Sequence, residues 1–261
     1  MALLKALIQD RQLLISSLIQ YSADYHGENE IVTRNNDGTI HRTTYAEVYK
    51  RTQQLAHALE GIGAEQGDRI GTISWNSYRH LEVYYATSGM GCVCHTINPR
   101  LFEEQLIYIM NHAEDKFLFV DPTFMSLVEG LHADLNSIKG FIVMCNVEEM
   151  PETTLANVYC YESLLEGCEP HYEWPQFDEN TASSLCYTSG TTGNPKGVLY
   201  GHRSTVLHSW CASSADGLGI RNDDSLLVIV PMFHANAWGT PYAAPMWGAK
   251  MVFPGPHLDG E

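Results

Sequence analysis

Between Asp68 and Met144 short apolar runs alternate with helix-length segments, and this alternation limits the available folds more than any other feature. An extended run at Asp68–Trp75 is followed by a helix at Tyr78–Gly89 and a strand at Cys92–Ile97. A helix at Glu103–His112, a strand at Lys116–Val120, a helix at Phe124–Leu131 and a buried strand at Phe141–Met144 follow. The period is that of βαβ units, which predicts an α/β fold with mainly parallel sheets flanked by helices. Upstream, Glu30–Arg34 and Thr39–Thr43 flank an Asn-Asn-Asp-Gly turn, the pattern of a small β-hairpin near the N-terminus. Thr44, with Glu47 three residues on, caps a helix whose apolar face is Val48, Leu55, Ala58 and Leu59 and which Gly61 and Gly63 end.

The start of the chain spaces Leu3, Leu4, Leu7, Ile8, Leu14, Ile15, Leu18 and Ile19 around Lys5, Asp10 and Arg11. That predicts an amphipathic helix packed on the protein or a partner subunit, because the interrupting charges do not suit a signal peptide. Residues 145–180 are rich in Glu and Pro and read as an irregular surface connection with a short helix at Glu162–Leu165, its acidity serving solvation. A second alternating set starts at Ser183. The expected organisation is a first α/β subdomain over 1–175 and the start of a second over 176–261.

With 31 acidic and 15 basic side chains the net charge is −16, so a nucleic-acid surface would have to form against the overall field. Any anionic ligand must be held by local backbone amides, a few cations and metal. The strongest apolar run, Leu226–Val230, ends at Pro231, far short of the roughly 20 residues that span a bilayer. Seven cysteines, an odd number without a Cys-x-x-Cys pair, point to a reducing cytoplasm without disulfides or structural zinc. Cys92 and Cys94 read as two buried thiols.

The segment that carries chemistry is Tyr187-Thr188-Ser189-Gly190-Thr191-Thr192-Gly193-Asn194-Pro195-Lys196-Gly197, directly after a strand at Ser183–Tyr187. Its glycines free the backbone to aim N–H groups at an anion, its hydroxyls add donors, and Lys196 supplies a mobile charge. It is not a Walker A loop, because Pro195 precedes the lysine and Gly197 follows it. The plain reading is a polar turn between a strand and a helix starting near Ser204. The functional reading is a polyphosphate cradle, with Thr188 or its neighbours contributing to any magnesium.

This tract resembles the signature phosphate-binding loop of the adenylate-forming superfamily, which includes acyl-CoA synthetases. Val230-Pro231-Met232-Phe233-His234-Ala235-Asn236-Ala237-Trp238-Gly239 resembles the second family motif in its fatty-acyl form. The resemblance implies a medium- or long-chain fatty-acid–CoA ligase using ATP, Mg2+ and coenzyme A. Thr188, Ser189, Gly190, Thr191, Thr192 and Gly193 would cradle the β- and γ-phosphates, with Thr188 also near magnesium and Lys196 assisting. His234 would lie beside the adenylate and acyl carboxylate with Ala235, and Trp238 would gate a fatty-acid tunnel. Read alone, His234 also fits a hydrogen-bonded structural residue and Trp238 a core one, while His202 and His208 show no ligand spacing.

The family's later Tyr-Gly-x-Thr-Glu segment, ribose-binding Asp, hinge and lid lysine are not in the 261 residues. The expectation is therefore an N-terminal portion, inactive alone, with exposed apolar surface where a second half docks and a homodimer contact at Ala2–Ile19. Two alternatives stand beside it: a ligase for a short, aromatic or sulfur-containing acid, and a noncatalytic nucleotide-binding or scaffold fragment.

Overall fold

The computed structural model describes residue 4, residues 6–188 and residues 194–258. The first helix, α1 (Ser16–His26), leads into the hairpin β1 (Glu30–Arg34) and β2 (Ile40–Thr44), whose turn is closed by Gly38 at φ +86°. Next is α2 (Tyr45–Gly61), whose Glu47 N–H donates to Thr44 Oγ1 at 3.4 Å, as the capping sequence predicts. The alternating region gives β3 (Arg69–Ile73), α3 (Tyr78–Gly89), β4 (Val93–Thr96), α4 (Glu103–Ala113), β5 (Phe117–Val120), α5 (Met125–Leu131) and β6 (Gly140–Val143). Then come β7 (Val158–Cys160), α6 (Tyr161–Leu165), β8 (Ala182–Thr188), β9 (Lys196–Gly201) and α7 (His202–Ala212). The last elements are β10 (Ser225–Leu227), the short turn α8 (Ala235–Trp238), α9 (Thr240–Trp247) and β11 (Lys250–Phe253).

Two sheets organise these elements. Seven strands run in the order β7-β6-β5-β3-β4-β8-β9, all parallel to their neighbours except β9, which is antiparallel to β8. The four-stranded sheet has the order β10-β11-β1-β2, so both sheets draw strands from either side of residue 175. Every residue of β4, β5 and β6 is buried, as strands covered on both faces by helices must be. The α/β class with mainly parallel sheets is the one the alternation predicts.

Three expectations change. The predicted N-terminal helix begins only at Ser16, and Leu4, Leu7 and Ile8 lie at 87–100% exposure outside any helix. Ahead of it the backbone serves other partners: the Leu13 N–H donates to Glu179 Oε2 at 2.8 Å and the Ile15 N–H to His202 Nδ1 at 3.2 Å. Leu14, Ile15, Leu18 and Ile19 are buried against the protein's own core. Second, the acid-rich connection contains β7 as well as the short helix, formed because β6 offers an open edge. Third, β9 stands between the phosphate-loop tract and α7, where the sequence suggests a direct turn into a helix.

All seven cysteines are free, with Cys92 and Cys94 fully buried. Among the described residues no helix is long and apolar enough to cross a membrane. Exposed apolar side chains gather on β9 (Val198, Leu199), α7 (Leu207, Trp210) and the β10 region (Leu227, Ile229).

Candidate functional site

β8 buries Ser183, Ser184, Leu185 and Cys186 and emerges at an exposed Thr188, the carboxyl end of a strand whose neighbour β4 runs parallel to it. Ligand sites in open α/β sheets form beyond such carboxyl ends. The chain returns as β9, pairing Thr188 with Lys196 and Tyr187 with Gly197 in an antiparallel hairpin, so the two described ends of the phosphate-loop tract stand side by side. Thr188 Oγ1 donates to the Lys196 carbonyl at 3.5 Å. Gly197 suits this pairing, because a Cβ there would come within 3.1 Å of the Leu185 side chain. Tyr187, at the root of the hairpin, shares a hydrogen bond with His112 Nδ1 at 2.6 Å, and burial pushes its phenol up to about 12. Ser189, Gly190, Thr191, Thr192 and Gly193 lie outside the described residues.

His234 arrives on the segment between β10 and α8. The buried Asn76 fixes its approach: the Nδ2 group donates to the Val228 and Val230 carbonyls at 2.8 and 2.9 Å, and Oδ1 accepts the Met232 N–H at 2.6 Å. Beyond His234 the backbone turns left-handed for Ala235, Asn236, Ala237 and Trp238, with φ between +45° and +56°. Each non-glycine residue in that region costs roughly 1–2 kcal/mol, so the surrounding structure must hold the turn. Gly239 ends it at φ +78°, and a Cβ there would lie 2.7 Å from His208 Nδ1. Asn236 and Ala237 point inward, while His234 and Trp238 are exposed. Trp238, at 64% exposure, is not a core tryptophan.

The turn is a wall shared by two cavities. One, of about 310 Å³, is lined by Thr96, Thr188, Pro195, Phe233, His234 and Ala235, among others. The second, of about 500 Å³, lies between α7 and the turn, with Ser204, Thr205, His208, Ala235, Trp238 and Tyr242 on its walls. The structure thus brings Thr188, His234 and Ala235 together, sets Trp238 in the neighbouring cavity, and leaves Lys196 at the base of the hairpin outside both linings. Among the described residues, neither lining contains an Asp or Glu. In a chain of net charge −16 that is the local exception an anionic ligand requires. A larger cleft of about 520 Å³ at the ends of β3 and β5 differs in this respect: Asp37, Glu47, Asp121, Glu149 and Glu162 line it, and Glu162 engages both its Arg51 and its Arg79.

Two side chains have roles that the sequence reading left aside. His208, which shows no ligand spacing in the sequence, lines the larger cavity; its spacing from Ser204 and Thr205 puts the three on one face of α7. Asn236, inside the second motif, is buried and bonded to β8. His202, by contrast, is a fully buried structural histidine.

As for the metal that the resemblance implies, among the described residues no cluster of three or more His, Cys, Asp or Glu is arranged to hold one. Magnesium bound together with a polyphosphate needs few protein ligands, and the exposed Thr188 hydroxyl is a hard oxygen of the kind it accepts.

The β8–β9 hairpin, at the carboxyl end of a parallel strand, stands beside both cavities, and solved structures share this α/β architecture. The chain superposes on the anthranilate CoA ligase AuaEII with a TM-score of 0.81 at 20% identity, covering 96% of this chain and 46% of that one. The long-chain-fatty-acid-CoA ligase FadD1 from Archaeoglobus fulgidus gives 0.81 at 18% identity, covering 95% and 48%. The model of the AMP-binding enzyme family matches residues 19–261, and the chain belongs to that family. It is 53% identical over 249 residues to a 3-methylmercaptopropionyl-CoA ligase of Ruegeria lacuscaerulensis and 52% identical over 249 residues to a medium-chain-fatty-acid–CoA ligase of Ectopseudomonas oleovorans. Each alignment covers 95% of this chain and 46% of the relative, so the chain spans about half the length of these relatives.

Proposed function

We propose that the chain supplies the phosphate-binding and acyl-binding portion of an AMP-forming acid–coenzyme A ligase whose acid is a fatty acid. The observation that carries this reading is the shared wall: Thr188 and His234 face one cavity, free of carboxylates among the described residues, and Trp238 faces a second across the same turn. In such a reaction a carboxylate oxygen attacks the α-phosphorus of ATP and the bond to pyrophosphate breaks. The coenzyme A sulfur then attacks the acyl carbon, and AMP departs with the bonding electrons.

The protein's task in the first step is positioning and charge stabilisation, without a protein nucleophile. The loop following Thr188 would hold the β- and γ-phosphates, with Lys196 as an added cation at the hairpin base. Magnesium, when bound, would neutralise phosphate charge, and the exposed Thr188 hydroxyl would supply it an oxygen ligand. His234 and Ala235 would orient the carboxylate, and the cavity beside Trp238 would take the acyl chain, its walls including Tyr242 and Gly239.

A second reading, a short sulfur-containing acid, is favoured by the near-equal identities of 53% and 52% to relatives named for different acids. The test is acid-dependent exchange of labelled pyrophosphate into ATP by the protein of the uninterrupted reading frame, beside residues 1–261, with acids from acetate to palmitate and 3-methylmercaptopropionate. Exchange that rises with chain length supports the fatty-acid reading. Preference for the thioether acid supports the second, and no exchange with any acid removes both. Thr188→Ala should lower exchange about 10- to 100-fold, with little change in melting temperature, since its side chain is exposed.

A further inference from the structure

The left-handed turn at Ala235–Trp238 has no glycine of its own, so its own sequence gives the conformation little support beyond the tolerance of asparagine. Its local backbone bonds, Ala237 N–H to His234 and Gly239 N–H to Asn236 at 3.0 and 2.9 Å, close the turn without attaching it to the protein. Ala237 packs into the core, and the side-chain hydrogen bonds that tie the turn to the sheet come from Asn236, which is 4% exposed. Its Nδ2 group donates to Ser184 Oγ at 2.9 Å, and its Oδ1 accepts from Cys186 Sγ at 3.4 Å, with the Tyr84 hydroxyl at 3.5 Å. Ser184 and Cys186 are alternate residues of β8 and present the same face, so the carboxamide lies along the strand that ends in Thr188. On either side of Asn236 in sequence stand His234 and Trp238, one in each cavity.

We infer that Asn236 is a positioning residue: its carboxamide clamps the left-handed turn to β8 and thereby sets His234 toward the Thr188 cavity and Trp238 toward the larger one. The amide is needed at both ends, since one end donates to a hydroxyl and the other accepts from a thiol that burial keeps protonated. Aspartate keeps the shape but not the donor, and it would place a charge in a dry site. Glycine keeps the backbone freedom but not the clamp. The placement stands on the hydrogen bonds alone, while its consequence for acid activation rests on the ligase reading, so the two are tested separately.

The full-length protein labelled with 5-fluorotryptophan reports the placement by 19F NMR, with Trp238→Phe assigning the resonance. Asn236→Gly and Ser184→Ala should each shift or broaden the Trp238 signal and leave the other tryptophans unmoved. The Asn236→Gly/Ser184→Ala double variant should add little to either single change. An unchanged Trp238 signal in Asn236→Gly would mean that backbone preference and the packing of Ala237 hold the turn without the clamp, and would overturn the inference. Ser184→Ala, a small change, decides the matter should the Asn236 variants not fold, because it removes the acceptor and leaves the turn's own sequence intact. Where the wild type catalyses pyrophosphate exchange, Ser184→Ala should lower kcat about tenfold or raise the acid KM by as much, with the ATP KM held, since small misplacements of reacting groups are costly. Absence of exchange in the wild type would remove the ligase reading and leave the NMR result to decide the clamp.

Discussion

His202, the first residue of α7, is wholly buried, and its ring nitrogens are unequally served. Nδ1 accepts the Ile15 N–H at 3.2 Å, whereas Nε2 has no hydrogen-bond partner among the described residues. A proton on Nδ1 would break that bond, and burial holds the imidazole's pKa down at about 4, from an ordinary 6.5. Between these values the unfolded chain binds the proton and the folded one does not, so stability falls as the pH drops from 7 toward 4. At pH 5 the penalty from His202 is about 2 kcal/mol relative to pH 7. In urea titrations His202→Gln should therefore flatten the loss of stability between pH 7 and 5 by about that amount, though its stability at pH 7 is lower. An identical pH slope in the variant would mean that His202 accepts its proton inside the fold. In the sequence, residue types and spacings made the phosphate-loop tract and His234 visible. The N–H to which His202 would be bonded was not visible, because Ile15 lies 187 positions away.

Three helices that share a core with β3, β5 and β6 are bolted together by charge. Arg51 of α2 meets the buried Glu82 of α3 at 2.8 Å and Glu162 of α6 at 2.9 Å, and Arg79 of α3 meets Glu162 at 2.8 Å. Tyr161 donates to Glu82 at 2.6 Å. Burial alone would raise the Glu162 carboxyl, yet Arg51 and Arg79 together hold it below its ordinary value. Removing the shared acid leaves two poorly solvated guanidinium groups short of a partner, so Glu162→Ala should destabilise by about 3 kcal/mol. Adding Arg79→Ala should cost less than the sum of the single changes, because the second substitution removes a charge already unpaired. Additive losses in chemical denaturation would show the bridges to be independent. This network also marks where legibility ended. The helix at Glu162–Leu165 could be read from its pattern, but a carboxylate in an acid-rich stretch looks the same in sequence whether it meets water or two arginines. Strands β7 and β9 were hidden for a related reason: three residues of β7 and the mostly exposed β9 carry little periodic signal, and their pairing is decided by the open edges of β6 and β8. The buried strands β4, β5 and β6 and the helices between them carry their own apolar pattern and were legible almost residue for residue.

The four-stranded sheet joins the two ends of the described chain, since β11 lies between β1 and β10 and is parallel to both. Met251 pairs with Ile31 and Phe253 with Thr33, and Met251, Phe253 and Ile31 are all fully buried in the core that also receives α1, α3 and α9. The same core contains Met232, Ala237 and Tyr242, so the turn bearing His234 and Trp238 rests on packing supplied by both ends of the chain. Deleting the Phe253 ring leaves a cavity that β1 and β10 cannot fill without giving up their pairing, so Phe253→Ala should cost about 3–5 kcal/mol. If the two sheets form one cooperative unit, the variant should unfold in a single urea transition shifted to lower concentration. Hydrogen exchange of the Ile31 and Thr33 amides in β1 should then accelerate together with that in β5, which belongs to the other sheet. Faster exchange confined to β1, β10 and β11, with β5 protected as in the wild type, would show that the four-stranded sheet opens by itself. In that case the wall between the two cavities would depend on a separately unfolding unit, because Met232 and Ala237 belong to the core that opens with it.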